Sequence, residues 1–391
     1  MSESKKLIPR RRFKQFNGDW NITTLGKIAE IVRGASPRPI QDQKWFDKNS
    51  DIGWLRISDV TEQEGRIYYL EQRLSVAGQE KTRVLYEPHL LLSIAATVGK
   101  PVINYIKTGV HDGFLIFLNP KFHREFLFQY LDMFKLQWQK YGQPGSQVNL
   151  NSDIVKNHNI ELPNSDEQTQ IGEFFKKLDN LINTQQKKLE KAKILKSAYL
   201  TEMFPNEGEL KPRLRFIGND NYWQCLSLGD LTNIKTGNSD AQDSVINGAY
   251  PFFVRSENIE RSNRYLYDGE AILIPGEGRL GEIFHYIKGK FDYHQRVYKI
   301  SDFREDINGK FVFYYMQKTF KKHALKYTVK ATVDSLRLPM LTDYLLLCPS
   351  LKEQNNISSL FEKLDNKIAL EQKKLDKLKN IKQAYLNEMF V

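Results

Sequence analysis

Two stretches of this chain carry apolar residues at alternating steps of four and three, the spacing of one face of a long helix. Ile171, Phe175, Leu178, Ile182, Leu189, Ala192, Tyr199 and Met203 keep that period in the first. Ile357, Phe361, Leu364, Ile368, Leu375, Leu378, Tyr385 and Met389 keep it in the second. After an opening proline, neither stretch contains another, and both are rich in the helix formers Lys, Glu, Leu and Ala. A 3.5-residue period held over about five heptads predicts a coiled-coil seam rather than the broader stripe of a surface helix. Gln185, Lys196, Glu371 and Lys382 interrupt the seam, and such interruptions fix register at some cost in stability. At 1.5 Å per residue each helix spans roughly 60 Å. Pairing the two antiparallel within one chain leaves a globular part at each end.

Elsewhere the pattern changes to short runs of β-branched and aromatic residues between Gly, Pro, Asn and Asp. Residues 52–60, 90–106 and 114–120 are of this kind, as are 251–259, 271–287 and 297–303. They predict strands, with helices near Phe122–Tyr141 and Lys310–Tyr327. Each globular part is therefore expected to be a mixed α/β unit around a mostly antiparallel, curved sheet.

The chain also repeats itself. Pro9, Arg10, Phe13, Trp20, Leu25-Gly26 and Gly34 return 203 residues later as Pro212, Arg213, Phe216, Trp223, Leu228-Gly229 and Gly237. Residues 163–204 match 349–390 at 23 of 42 positions without a gap, at an offset of 186. The difference between the offsets makes the first globular part 17 residues the longer. The expected class is α+β, with two tandem mixed α/β domains joined by two long helices in an antiparallel coiled coil. The boundaries follow as 1–162 for the first domain, 163–204 for the central helix and 205–211 for a linker. The second domain is 212–348 and the distal helix 349–391.

Length agrees, since 391 residues exceed one ordinary core. Lys and Arg number 58 against 47 Asp and Glu, a net charge of +11 that favours a polyanionic partner without naming it. Cys225 and Cys348 stand far apart with no Cys/His cluster, which tells against a disulfide framework and a structural zinc. The N-terminus has charge but no apolar core for a secretory signal, and no apolar run approaches a membrane span. A cytoplasmic protein without a membrane partner is expected.

Motifs for chemistry are lacking. The one GxGxxG, Gly276 to Gly281, is followed by an alternating strand-like segment, whereas a dinucleotide site requires a helix there. Gly99-Lys100 lacks the preceding glycine of a phosphate loop. There is no Asn/Asp-Pro-Pro-aromatic loop of an adenine methyltransferase, no HExxH and no GxSxG. His111 and His294 fall at equivalent places without a repeated acid or nucleophile, so a structural or DNA-facing role is preferred to a catalytic one. No catalytic residue and no metal site is assigned.

Taken in order, the features are Trp-x4-Leu-Gly, a strand like residues 52–60, a glycine turn and a Pro-x3-Glu-Gln helix start. A Leu-Asp heptad helix follows, and then the whole returns. The helix starts are Pro163, Glu167-Gln168 with Leu178-Asp179, and Pro349, Glu353-Gln354 with Leu364-Asp365. This order, over essentially the whole chain, resembles the specificity (S) subunit of type I restriction–modification enzymes. The resemblance implies two target recognition domains, each reading one half of a split site in double-stranded DNA. It implies a coil that sets the spacing and docks two methyltransferase (M) subunits, with restriction (R) subunits joining them. S-adenosylmethionine would then belong to the M subunits, ATP and Mg to the R subunits, and no cofactor to this chain.

Base edges are read by Arg, Lys, Asn and Gln, and phosphates are held by basic and hydroxyl groups. Candidate contacts in the first domain are Arg33, Ser36 and Arg38 behind Gly34, then Arg56, Ser58 and Asp59, and Gln143, Ser146, Gln147 and Asn149 before the last strand. In the second they are Lys235, Asn238, Arg255, Ser256, Asn258, Arg279, His294, Gln295 and Arg296, then Lys330, Thr332 and Arg337. For the repeated Arg56 and Arg255, phosphate contact or a structural ion pair is preferred to base readout. Asp112 tells against base contact from its segment, although an aspartate accepts from cytosine. The run Arg10–Arg12 is read equally as a phosphate grip or as solvated charge. Lys187, Lys188, Lys191 and Lys193 are assigned to solvent or a protein partner. Two other classes remain, a protein-interaction scaffold and a free-standing enzyme. Salt-sensitive DNA binding separates the reader from the first, and activity of the chain alone would mark the second.

Overall fold

The computed structural model describes residues 7–95, 98–135, 137–138, 150–218, 221–327 and 335–391. The chain forms two compact units, Met1–Gln185 with Lys374–Val391, and Gln186–Lys373. Each unit therefore takes one globular part and a portion of both long helices.

In the first unit the strands are β1 (Asn21–Thr24), β2 (Glu30–Arg33), β3 (Gly53–Leu55), β4 (Arg66–Ile67), β5 (Arg83–Leu85), β6 (Leu90–Ser93), β7 (Pro101–Asn104), β8 (Thr108–Val110), β9 (Phe114–Leu118) and β10 (Asn159–Leu162). One sheet runs β2-β9-β6-β7-β4, a second β3-β8-β5, and β1 pairs with β10. Pairing is antiparallel except for β4 with β7 and β3 with β8. The helices are α1 (Leu25–Ile28), α2 (Ile57–Glu62), α3 (Val76–Glu80), α4 (Arg124–Phe134), α5 (Ser152–Lys156) and α6 (Ser165–Glu202), which continues into the second unit. Leu91, Val102, Phe114 and Ile116 cluster with Leu55, Val60, Ile67 and Val110 in the core.

In the second unit β11 (Gln224–Ser227) pairs with β18 (Leu345–Cys348), as β1 does with β10. Between them lie β12 (Asn233–Thr236), β13 (Tyr250–Phe253), β14 (Ile259–Ser262), β15 (Tyr267–Pro275), β16 (His285–Tyr293) and β17 (Val297–Ser301). They form one sheet in the order β12-β17-β15-β16-β13-β14, parallel only between β13 and β16. The helices are α7 (Leu228–Leu231), α8 (Gly309–Leu325), α9 (Leu338–Thr342) and α10 (Leu351–Met389), whose last part belongs to the first unit. The expected mostly antiparallel sheets are thus present; α4 ends at Phe134, and residues 139–141 of the expected helix lie outside the described residues.

The shared motif residues prove to be joints. Gln168 donates to the Pro163 carbonyl at 2.8 Å and accepts the His123 N–H at 2.9 Å, tying the start of α6 to the start of α4. Gln354 repeats this with Pro349 and Asn308 at 2.9 Å each. Glu167 is held by Nε and Nη2 of Arg12 at 2.7 Å each, and Glu353 by Arg215 at 2.9 and 2.7 Å. Arg12 is therefore a structural residue, and Arg11 pairs with Glu388 at 2.6 Å. Gly172 packs against α4 so closely that a Cβ there would lie 2.8 Å from the Phe126 nitrogen.

The helix pairing is antiparallel in both units. In the first, Asp179 meets Lys382 at 2.8 Å and Phe174 meets Tyr385. In the second, Asp365 meets Lys196 at 2.6 Å and Phe361 stacks on Phe204. The two lysines that interrupt the seam are thus the partners of the two Leu-Asp aspartates, which fixes the register of both pairings. Of the seam positions, Ile171, Phe175, Leu178, Ile182, Leu189, Ile357, Phe361, Leu364 and Leu375 are buried. Tyr199, Ile368 and Tyr385 are only half-buried, and Leu386, outside the seam, is buried in their place.

The helix ends close the units. Phe390 packs edge-on to Trp20 and against Phe126 in the first, and Phe204 packs on Trp223 and Phe311 in the second. Each tryptophan of the repeat thus meets the last aromatic residue of the helix that began in the other repeat.

Candidate functional site

In both units a loop that follows the first strand of the main sheet crosses the turn holding the repeated histidine. Gly34 comes against the Val110 and His111 carbonyls and Gly237 against those of Tyr293 and His294, so closely that no side chain fits at either position. The histidines play the same part. His111 Nδ1 accepts the Gly113 N–H at 2.9 Å, and His294 Nδ1 accepts the Arg296 N–H at 3.0 Å. Burial pushes the His111 imidazole down, against the opposing charge of Asp112. His294 is buried, and its Nε2 lies 3.3 Å from Asp240 at an angle that makes no hydrogen bond.

In the first unit this turn carries Asp112. Its Oδ1 accepts from Ser36 at 2.9 Å, its Oδ2 pairs with Arg38 at 2.7 Å, and its backbone carbonyl accepts from Arg33 at 2.6 Å. Burial raises the carboxyl, but the Ser36 hydroxyl and the charges of His111, Arg38 and Arg33 outweigh it and hold the group below the usual carboxylate range. In the second unit Ser239, the counterpart of Ser36, is buried on Asp292 at 2.5 Å. Here the acid comes from the glycine turn after β15. Glu277 holds Arg255 at 3.0 Å and also pairs with Arg296, and those two bonds keep its carboxyl low. Arg279, on the same turn, pairs with Glu257 at 2.7 Å and Glu282 at 2.9 Å.

The GxGxxG glycines answer to packing. The Gly276 N–H donates to the Arg296 carbonyl at 2.8 Å, and Gly278 and Gly281 have φ of +86° and +66°. No helix starts at this turn; the next element is β16.

Several expected contacts find other work. The Arg56 guanidinium and N–H both bind Asp59, at 3.0 and 2.8 Å, and close the start of α2. Asp59 is buried in that cap and His294 in its turn, so the expectation that these two face outward is corrected: both support neighbouring backbone. Ser256 closes a turn onto Asn258. Ser58, Lys235, Asn238, Gln295 and Arg337 are exposed. Gln143, Ser146, Gln147, Asn149, Lys330 and Thr332 lie outside the described residues. The bracing acids Asp112 and Glu277 were not among the expected contacts. Their signal was an acid beside a repeated histidine and an acid inside an otherwise unexplained glycine turn.

Arg56 also borders a cleft of about 190 Å³ with Ile40, Phe46, Trp54, Gln72 and His111. A wider cleft of about 860 Å³ in the second unit lies between α8 and the segment from Pro205 to Leu210, where Glu207 binds Lys322 and Lys326. Among the described residues no three His, Cys, Asp or Glu gather as a metal site, and no helix is long and apolar enough to cross a membrane.

The family model of the type I restriction modification DNA specificity domain matches residues 17–193 and 221–380, most of the chain. The chain belongs to this family. A specificity subunit confers recognition and is not the catalyst. Among its relatives, the MjaVIII specificity subunit of Methanocaldococcus jannaschii is 24% identical over 98% of this chain and 96% of its own length. The EcoDI specificity subunit of Escherichia coli is 31% identical over 41% of this chain, and that match spans only 34% of the relative. The S subunit from M. genitalium has the same fold, with a TM-score of 0.70 at 14% identity over 98% of this chain and 99% of that one. A chain from a structure concerned with complex assembly and conformational transition of the type I R-M system aligns with a TM-score of 0.51 at 17% identity, over 95% and 97% of the two.

Proposed function

We propose that each unit of this specificity subunit reads one half of a bipartite, asymmetric site in double-stranded DNA. The paired helices set the spacing between the halves and dock two adenine-N6 methyltransferase subunits, which bring S-adenosylmethionine. Restriction subunits with ATP and Mg complete the complex, and this chain supplies no catalytic group. One observation carries the proposal. The joints of the two units repeat residue for residue, as in Arg12–Glu167 and Arg215–Glu353, while the exposed loops around the histidine turn carry different charged residues. A shared frame with unlike reading surfaces suits two unlike half-sites, much as a dimer of identical readers suits a palindrome. Extruding the target base for methylation falls to the methyltransferase.

Modified-base sequencing of host DNA, with the gene intact and deleted, tests this. Loss of N6-methyladenine from one split asymmetric motif is the expected result. An unchanged methylation pattern, in cells where the chain co-purifies with an active methyltransferase, would refute it.

A further inference from the structure

Each unit carries a pair of arginines braced by one acidic residue, and the two assemblies are built from residues that do not correspond in the repeat. By the repeated histidines, Asp112 corresponds to Gln295 and Gly113 to Arg296. Nevertheless Asp112 gathers Arg33 and Arg38 in one unit, and Glu277 gathers Arg255 and Arg296 in the other. Exposure is matched as well. Both acid side chains are 25% exposed, beneath arginines that are 72% (Arg38), 48% (Arg255) and 56% (Arg296) exposed. The buried pairs of this chain look different, with Arg12, Arg66 and Arg215 only 11%, 5% and 12% exposed, while the cap residue Arg56 is 39% exposed.

We propose that these are two guanine-reading forks, Arg33 and Arg38 on Asp112 for one half-site, and Arg255 and Arg296 on Glu277 for the other. The inference rests on the DNA-reading function proposed above. A guanidinium reads guanine by two parallel bonds to O6 and N7, which demands a fixed plane. One bond behind each guanidinium, from the Asp112 backbone carbonyl for Arg33, the Asp112 carboxylate for Arg38 and the Glu277 carboxylate for Arg255 and Arg296, narrows its rotamer freedom before DNA arrives. The acid also cancels one of the two positive charges. A phosphate anchor would be weakened by that loss, whereas discrimination among base edges is sharpened because unspecific attraction falls. The GxGxxG turn thereby has a use, as the platform that presents Glu277.

The test uses the complex of this chain with its methyltransferase subunits and DNA libraries randomised in each half-site. The unaltered complex is expected to prefer guanine, on either strand, at one or two positions of each half. Asp112→Asn should lower that preference about ten-fold in one half-site only, and Glu277→Gln in the other. Affinity for unrelated DNA should stay level or rise. Arg38→Lys and Arg296→Lys keep the charge but lose the fork, and should relax the same positions. A uniform loss across all sequences, unchanged preferences, or an unaltered half-site made only of A·T pairs would overturn the inference. An unaltered complex that selects no split site at all would instead refute the DNA-reading function.

Discussion

Replacing Arg12 by alanine puts the joint between strand entry and helix start to a quantitative test. Glu167 lies at the first turn of α6 with its carboxylate wholly buried, and both of its oxygens are held by Arg12 at 2.7 Å. The guanidinium itself is 11% exposed. Exposed ion pairs are worth about 0–1 kcal/mol, but removing one partner of a buried pair strands the other charge and costs about 3–5 kcal/mol. The Asn164 side chain still accepts the Glu167 N–H, so the helix cap survives and the cost falls on the carboxylate. With an m-value of roughly 2–3 kcal/mol per molar urea, the midpoint of the first unit should fall by roughly 1–2 M. Urea unfolding followed by tryptophan fluorescence in a Trp223→Phe background isolates that unit, because Trp20, Trp45, Trp54 and Trp138 all lie in it. The double variant Arg12→Met, Glu167→Leu should recover most of the loss, since apolar replacement of a buried pair is near neutral. A loss below about 1 kcal/mol for Arg12→Ala, or no recovery in the double variant, would refute the buried-pair account.

Three further outcomes are expected. Burial holds the His158 imidazole at about 4, against about 6.5 in an unfolded chain. Between those values only the unfolded chain takes up the proton, so stability is complete above about pH 6.5 and declines by about 2 kcal/mol toward pH 4, after discounting for partial exposure. His158→Gln should flatten that slope, and an unaltered slope in unfolding of the first unit would count against it. Cys225 is exposed while Cys348 is buried with its thiol pushed up to about 12; native labelling should therefore modify Cys225 alone, and rapid modification of Cys348 would contradict the packing of β18. Deleting one heptad from each long helix removes roughly 10 Å of coil, about three base pairs of the spacer at 3.4 Å each; an assembled complex that methylates a motif of unchanged spacing would exclude the helices as its ruler.

Much of the frame was legible in the chain itself. The 3.5-residue period predicts the two helices, and the duplicated segments predict two similar halves, because these patterns express rules that act between near neighbours. The Pro-x3-Glu-Gln signature was legible as a motif but not as a device. Its glutamine bonds to His123 or Asn308, and its glutamate to Arg12 or Arg215, partners 45 to 155 residues away. The seam interruptions were legible as register-fixing positions, but their partners, the aspartates of the opposite helix that Lys196 and Lys382 meet, were not.

The candidate site was less legible, for the same reason. Arg33, Arg38, Arg255 and Arg296 stood out by residue type, but type alone does not separate a reader, a phosphate anchor and a buried strut. Burial sets the strut apart, as at Arg12 and Arg215, and burial is a property of packing. Asp59 and His294 belong to turns and caps because the backbone around them needs partners. Asp112 and Glu277 brace arginines that reach them from elsewhere in the chain. What this sequence determines by itself is its periods, its duplication and therefore its family. What only the tertiary structure decides is which charges are shared, because electrostatic partnership depends on distance in space, and neither period nor repeat encodes that.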